Sequence, residues 1–178
     1  MSIHIVWVGV VLVYILRNTE SFPNGAPIDS CYNFRPGHGG VAVDGSEKND
    51  SKTVFSLSAT SESGAFDVVL KAVHGDRPFK GFLIKAIPDK YSPSKWANPK
   101  IPIGKWKINR DARRLDCFRG ESNVVTHIDN DPKLEANFIW VPPKYLKGKT
   151  GNVTFVATVV EHFAQYWTGV ATDLMNVP

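Results

Sequence analysis

Hydrophobic and polar positions alternate with a period of two over several stretches of the chain, as half-buried strands require. In LEANFIWV, Leu134, Ala136, Phe138 and Trp140 share one face and Glu135 and Asn137 fall on the other. From Asn152 to Glu161 the run NVTFVATVVE sets Val153, Phe155, Ala157 and Val159 against Thr154, Val156, Thr158 and Val160. These are β-prone types on both faces, which predicts a central strand. Phe66 to Lys71 and Phe82 to Ile87 behave likewise, joined through the turn-rich HGDRP from His74 to Pro78. Shorter candidates run from Thr53 to Ser58, Lys105 to Asn109 and Val124 to His127. Helical periodicity is poor, because 12 Pro and 14 Gly interrupt any stretch long enough to carry it. Short strands separated by turn signals predict an all-β fold, an antiparallel sandwich of about seven to nine strands. Pro88 to Pro102 and Pro142 to Gly151 are then long surface connections.

The N-terminus departs from this pattern. Ile5 to Leu16 reads IVWVGVVLVYIL without a charge, and the polar, turn-forming RNTESFPNGAPI follows. That run is shorter than the ~20 residues a membrane-spanning helix needs, and it matches the apolar region of a secretory signal. Thr19 and Ser21 supply the small side chains of a peptidase site, so residues 1–21 read as a signal peptide cut before Phe22. Residues 22–178 then form one exported domain without a stable membrane insertion. An even pair of cysteines, Cys31 and Cys117, suggests one bridge in an oxidising compartment. Two sequons, Asn49-Asp50-Ser51 and Asn152-Val153-Thr154, are candidate glycan sites, with Asn49 in the more polar surroundings.

Charge then narrows the partner. The formal net charge is +4, but Arg77 to Arg119 holds twelve Lys or Arg against three acids, a local balance of +9. Within it Lys80, Lys85, Lys90, Lys95, Lys100 and Lys105 recur every five residues, followed by Lys107, Arg110, Arg113 and Arg114. Tyr91, Trp96 and Trp106 are interleaved. Such a surface draws phosphates and sulfates by its field and holds them through charge-assisted hydrogen bonds. In an exported protein the fitting anions are lipopolysaccharide, teichoic acid and sulfated glycans, and the compartment argues against nucleic acid. Trp96, in the loop-like SPSKWANPK, could add an aromatic contact with a sugar or fold back over the sandwich. Trp106, Trp140 and Trp167 lie on or beside strands and read as core. A solvated Lys-rich loop is the plain alternative for the tract. Recognition would then fall to the loops around Arg35 to Gly40 or Asp129 to Pro132.

Catalytic signals are lacking. His38, His74, His127 and His162 share no metal-ligand spacing, and no glycine elbow marks a nucleophile. His127, near Asp129 and Asp131, reads as a satisfied structural histidine. HIDNDP lacks the oxygen spacing of a calcium loop. Neither an enzyme nor a cofactor is expected.

Five stretches, in order, resemble the reeler domain family. They are FPNGAPIDSC from Phe22, PFKGFLIKA from Pro78, Cys117 with the later Val125-Thr126-His127, the strand ending Trp140-Val141-Pro142-Pro143, and FVATVVEHFAQYW from Phe155. The resemblance spans nearly all of the chain after residue 21, and is nearest to small secreted insect defence proteins made of that domain alone. It implies an immunoglobulin-like β-sandwich, pairing of Cys31 with Cys117, and a role in innate immunity through binding microbial surfaces or aggregating haemocytes. The family also supplies modules to neuronal matrix proteins and membrane ferric reductases, but the chain ends soon after Trp167 with no haem-bearing region, so it reads as a stand-alone module. An extracellular-matrix or adhesion module binding sulfated glycans is the second reading. Sequencing the N-terminus of the product recovered from culture medium should return Phe22 or a neighbour; intact Met1 there would contradict the export reading.

Overall fold

The computed structural model describes residues 22–37, 39–46, 54–89, 100–146 and 151–177. The signal-like run, Asn49, Lys90, Lys95 and Trp96 lie outside the described residues. Two sheets form a sandwich. The larger runs β1(Val41–Asp44), β10(Gln165–Ala171), β9(Gly151–His162), β4(Gly81–Pro88), β7(Val124–His127), β6(Ala112–Leu115), with β11(Met175–Val177) also on β9. The smaller runs β2(Phe55–Glu62), β3(Ala65–Ala72), β8(Glu135–Val141), β5(Lys105–Lys107).

β9 lies between β10 and β4, the central position predicted for it, and Val153, Phe155, Ala157 and Val159 are all buried. On β8, Phe138 and Trp140 point into the core, but Leu134 precedes the strand and stays 49% exposed. Three further differences stand out, while the scarcity of helix agrees with the sequence. The described residues form eleven strands, because β1, β6, β10 and β11 carry too few alternating positions to be read alone. One pair, β1 with β10, is parallel rather than antiparallel. The segment His74 to Pro78 crosses between sheets, so β3 and β4 do not form a hairpin. Helical structure is limited to one turn at Ser30–Asn33 and a 3₁₀ turn at Lys144–Leu146 among the described residues.

Between the sheets lies an aromatic core. Phe66 meets Trp140 and Phe155 at 5.7 and 5.6 Å between ring centres, and Phe155 meets Trp106 and Trp140 at 5.8 and 5.2 Å. These tilted and edge-on geometries are the favoured ones for aromatic pairs. The buried indoles also need acceptors: Trp106 Nε1 donates to Asn123 O at 3.1 Å and Trp140 Nε1 to Ile103 O at 2.9 Å. Trp106, Trp140 and Trp167 are thus core residues as expected.

The outer face of the large sheet has its own apolar cluster. Leu83, Leu115, Val124 and Cys117 pack there with Ala26 and Cys31 of the N-terminal arm, and Phe34 lies against them. A disulfide joins Cys31 to Cys117 across 86 residues, with the Cα atoms 5.6 Å apart. Polar pins flank it. Ala26 N–H donates to Thr126 Oγ1 at 3.0 Å, Arg113 Nη2 donates to Ala26 O at 2.8 Å, and Thr158 Oγ1 donates to Phe34 O at 2.6 Å. Gly25, at φ +96°, fits where a Cβ would lie 2.3 Å from His127 O, so the arm approaches as closely as backbone allows. Cys117→Ser should lower unfolding free energy by about 2–5 kcal/mol, because the bridge closes a long loop in the unfolded chain. Denaturant titration of the purified variant checks it.

Candidate functional site

The basic tract divides by the surroundings its members meet. A spacing of five cannot keep side chains on one face of a strand, whose period is two. Lys80 accordingly stands exposed just before β4, whereas Lys85 is half-buried within it. The Lys85 ammonium sits 4.0 Å from the centre of the Phe34 ring, and burial pushes its pKa down. Lys85 therefore helps seat the arm. Arg113 does the same through Ala26 O.

Arg77 pairs with Glu161 of β9, whereas the described cations from Lys105 to Arg119 other than Arg113 lie on or beside the outer strands β5 and β6. β6 is the outermost strand of the large sheet and β5 that of the small one. Trp106 N–H donates to Ser122 O at 2.8 Å, which ties β5 to the segment entering β7 and puts both edges on the same side. Lys105 and Lys107 project from β5 on either side of buried Trp106. Arg110 occupies the β5–β6 connection and Arg114 lies on β6, both exposed. Lys105 pairs with Glu121 at 2.6 Å. No ion pair ties Lys107, Arg110, Arg114 or Arg119 to an acid among the described residues. Charge along an unpaired strand edge also discourages edge-to-edge association. Lys100 is exposed at the start of this region.

Below the flank, the loop after Cys117 is rigidly held. Asn123 is buried; its Oδ1 accepts from Cys117 N–H at 2.8 Å, and its Nδ2 donates to Cys117 O at 2.9 Å and Pro102 O at 3.2 Å. Phe118 and Arg119 take positive φ, 52° and 64°, and are presented outward. Sequence reasoning missed this loop; the clue was an Asn beside a strand start, too common to single out. Asn152 lies on β9, half-buried and in register with Asn176 of β11.

A second concavity, a cleft of ≈ 210 Å³, opens between the arm and the far end of β4 and β9, with Phe22, Arg35, Lys80, Leu83, Val160 and His162 among its lining. His127 closes its inner end. Phe82 N–H donates to His127 Nδ1 at 3.1 Å, leaving Nε2 to donate to Phe22 O at 3.2 Å. That is the neutral imidazole, and burial lowers its pKa, with Lys133 nearby acting in the same direction. The satisfied structural histidine expected from sequence is what the geometry shows. His, Cys, Asp and Glu form no group able to hold a metal ion among the described residues.

With the fold in view, its relatives can be compared. A model described as the reeler domain matches residues 29–178. The chain belongs to the reeler family. Among curated proteins similar to it is "Putative defense protein 3" of Antheraea mylitta, 28% identical over 172 residues, covering 94% of each chain. Ferric-chelate reductase 1 of Bos taurus is 24% identical over 94% of this chain, but the match spans 26% of that protein. The crystal structure of the human F-spondin reeler domain superimposes with a TM-score of 0.56 at 16% identity, covering 78% of this chain and 95% of that one. The likeness to F-spondin establishes the sandwich fold. Similarity along its whole length links this reeler chain to insect defence proteins, whereas the reductase shares only a quarter of its length with it.

Because His127 has a folded pKa below the ordinary 6.5, the unfolded chain takes up the proton first as pH falls. Its contribution to stability is complete above about pH 6.5 and declines as pH drops towards the folded value. Asp129, held low chiefly by its hydrogen bond from Lys133, contributes in a separate window below its usual 3.8. Thermal melts from pH 7.5 to 5 should therefore show a falling midpoint that His127→Gln flattens.

Proposed function

We propose that this reeler chain is a secreted defence protein that binds anionic polymers of the microbial envelope through its basic flank and performs no reaction of its own. The observation that carries the reading is the position of Lys107 and Arg114 on the outer strands β5 and β6 and of Arg110 on the connection between them, all exposed and without an ion pair to an acid among the described residues. Phosphates of lipopolysaccharide or teichoic acid repeat along a chain, and a row of separate cations on a stiff support suits a repeated anion better than a single deep pocket does. Likeness to insect defence proteins over nearly the full length supports the immune setting. The apolar Ile5 to Leu16 run supports export. A sulfated-glycan partner in an extracellular matrix would use the same cations. It is favoured only by the fold shared with F-spondin.

Reversal of Lys107, Arg110 and Arg114 to Glu should cut binding to lipopolysaccharide, teichoic acid and whole bacteria by at least tenfold at low ionic strength. The melting midpoint should hardly move, since exposed charges contribute little to stability. A parallel Lys90, Lys95 and Lys100 reversal, with Trp96→Ala, measures what the neighbouring tract adds. Undiminished bacterial binding by the first triple variant would remove the flank from the function. Preference for heparin over both bacterial polymers would favour the matrix reading.

A further inference from the structure

The cleft between the arm and the large sheet is chemically unlike the flank. Its lining is largely apolar, with Phe22, Leu83 and Val160 among the walls, and it contains no Asp or Glu among the described residues. Its polar lining is the two cations Arg35 and Lys80 with neutral His127, Asn130, Thr158 and His162 side chains. Arg35 and Lys80 are exposed at the cleft with no ion pair to an acid among the described residues. His162 Nδ1 accepts from Ala164 N–H at 3.2 Å, which leaves Nε2 to carry a proton outward. Of the three acids adjacent in sequence to lining residues, Asp131 is exposed and outside the lining, and the other two are engaged elsewhere. Glu161 accepts both a 2.9 Å and a 2.6 Å bond from Arg77, and Asp129 is held by Lys133. His127 uses both ring nitrogens on Phe82 and Phe22, so it serves as a wall of the cleft.

An apolar floor ringed by cations with no competing carboxylate fits one chemical class. We propose that this cleft binds a single acyl chain ending in an anion, carboxylate or phosphate, with the chain over Leu83 and Val160 and the head between Arg35 and Lys80. The volume favours a short ligand, being below the roughly 300–1,000 Å³ of drug-sized pockets. Ordered apolar contact would supply affinity and the cations would choose the head. The wall that completes the site is the arm, so the site exists only while the disulfide and its flanking hydrogen bonds hold that arm against the sheet.

Titration calorimetry on the purified chain with decanoate, decyl phosphate, decanol and decylamine tests the proposal. Decanoate or decyl phosphate should bind one to one, the stronger of the two naming the head group, and decylamine should bind at least tenfold more weakly than either. Arg35→Glu with Lys80→Glu should weaken the anions at least tenfold and leave decanol within about threefold. Val160→Phe should fill the floor and weaken all the chains, while a circular dichroism spectrum and melting midpoint near those of the parent show that the sheet survives. Equal affinity for decanoate and decylamine, anion binding untouched by Val160→Phe, or no binding of any chain would each overturn it. Failure here is distinct from failure of the flank, because the Lys107, Arg110 and Arg114 reversal should not change decanoate binding and Val160→Phe should not change binding to teichoic acid.

Discussion

Satisfying two buried indoles constrains most of this molecule. Trp106 and Trp140 fill the space between the sheets, and apolar burial alone would let them settle in several ways. Their N–H groups remove that freedom, because a buried donor without an acceptor costs about 1–3 kcal/mol. Trp140 fixes the chain at Ile103, and Trp106 fixes it at Asn123. Asn123 in turn holds Cys117 and Pro102 through its amide. Gly104, at φ +73°, passes so near the Trp140 ring that a Cβ would come within 2.3 Å of it. One set of aromatic contacts thereby locates the edge strand β5, the loop bearing Phe118, and the half-cystine that anchors the arm.

The arm gives the large sheet a second covered face. Strands buried on both faces lose the clean apolar–polar alternation, which is why β9 carries Val and Thr on the side away from the main core. Those outward residues are not solvent-facing in the ordinary sense. Thr158 bonds the arm at Phe34 O, and Thr126 receives Ala26 N–H while donating to Phe82 O at 2.7 Å. The disulfide and these bonds hold a segment of little intrinsic structure, whose one helical turn could not persist alone. The basic flank and the cleft therefore share one support: Arg113 and Lys85 help hold the arm, while Lys107, Arg110 and Arg114 stay exposed.

Among the elements, the strands with strong alternation were legible in the chain: β3, β4, β7, β8 and β9 fall where period two places them. β2 and β5 overlap the shorter candidates at Thr53 to Ser58 and Lys105 to Asn109, whereas β1, β6, β10 and β11 were hidden for definable reasons. β6 is ARRL, whose central arginines tolerate an edge but do not announce a strand. β10 loses its register between Trp167 and Val170, so its apolar positions do not alternate. β1 has exposed residues and exists by pairing in parallel with β10, more than a hundred positions away.

What the sequence by itself determined is therefore local: the strand period, the cysteine pair, the indoles' preference for the interior and the excess of positive charge between Arg77 and Arg119. Residue type and near neighbours suffice for such properties. Only the tertiary structure decided which charges stay exposed. Lys85 looks like Lys80 along the chain, yet an aromatic ring from residue 34 covers one and leaves the other exposed. The cleft was likewise unreadable, because its two walls are contributed by segments far apart in sequence and brought together by the bridge from Cys31 to Cys117. A side chain's charge is written in its own codon, but its desolvation depends on whatever the fold sets beside it.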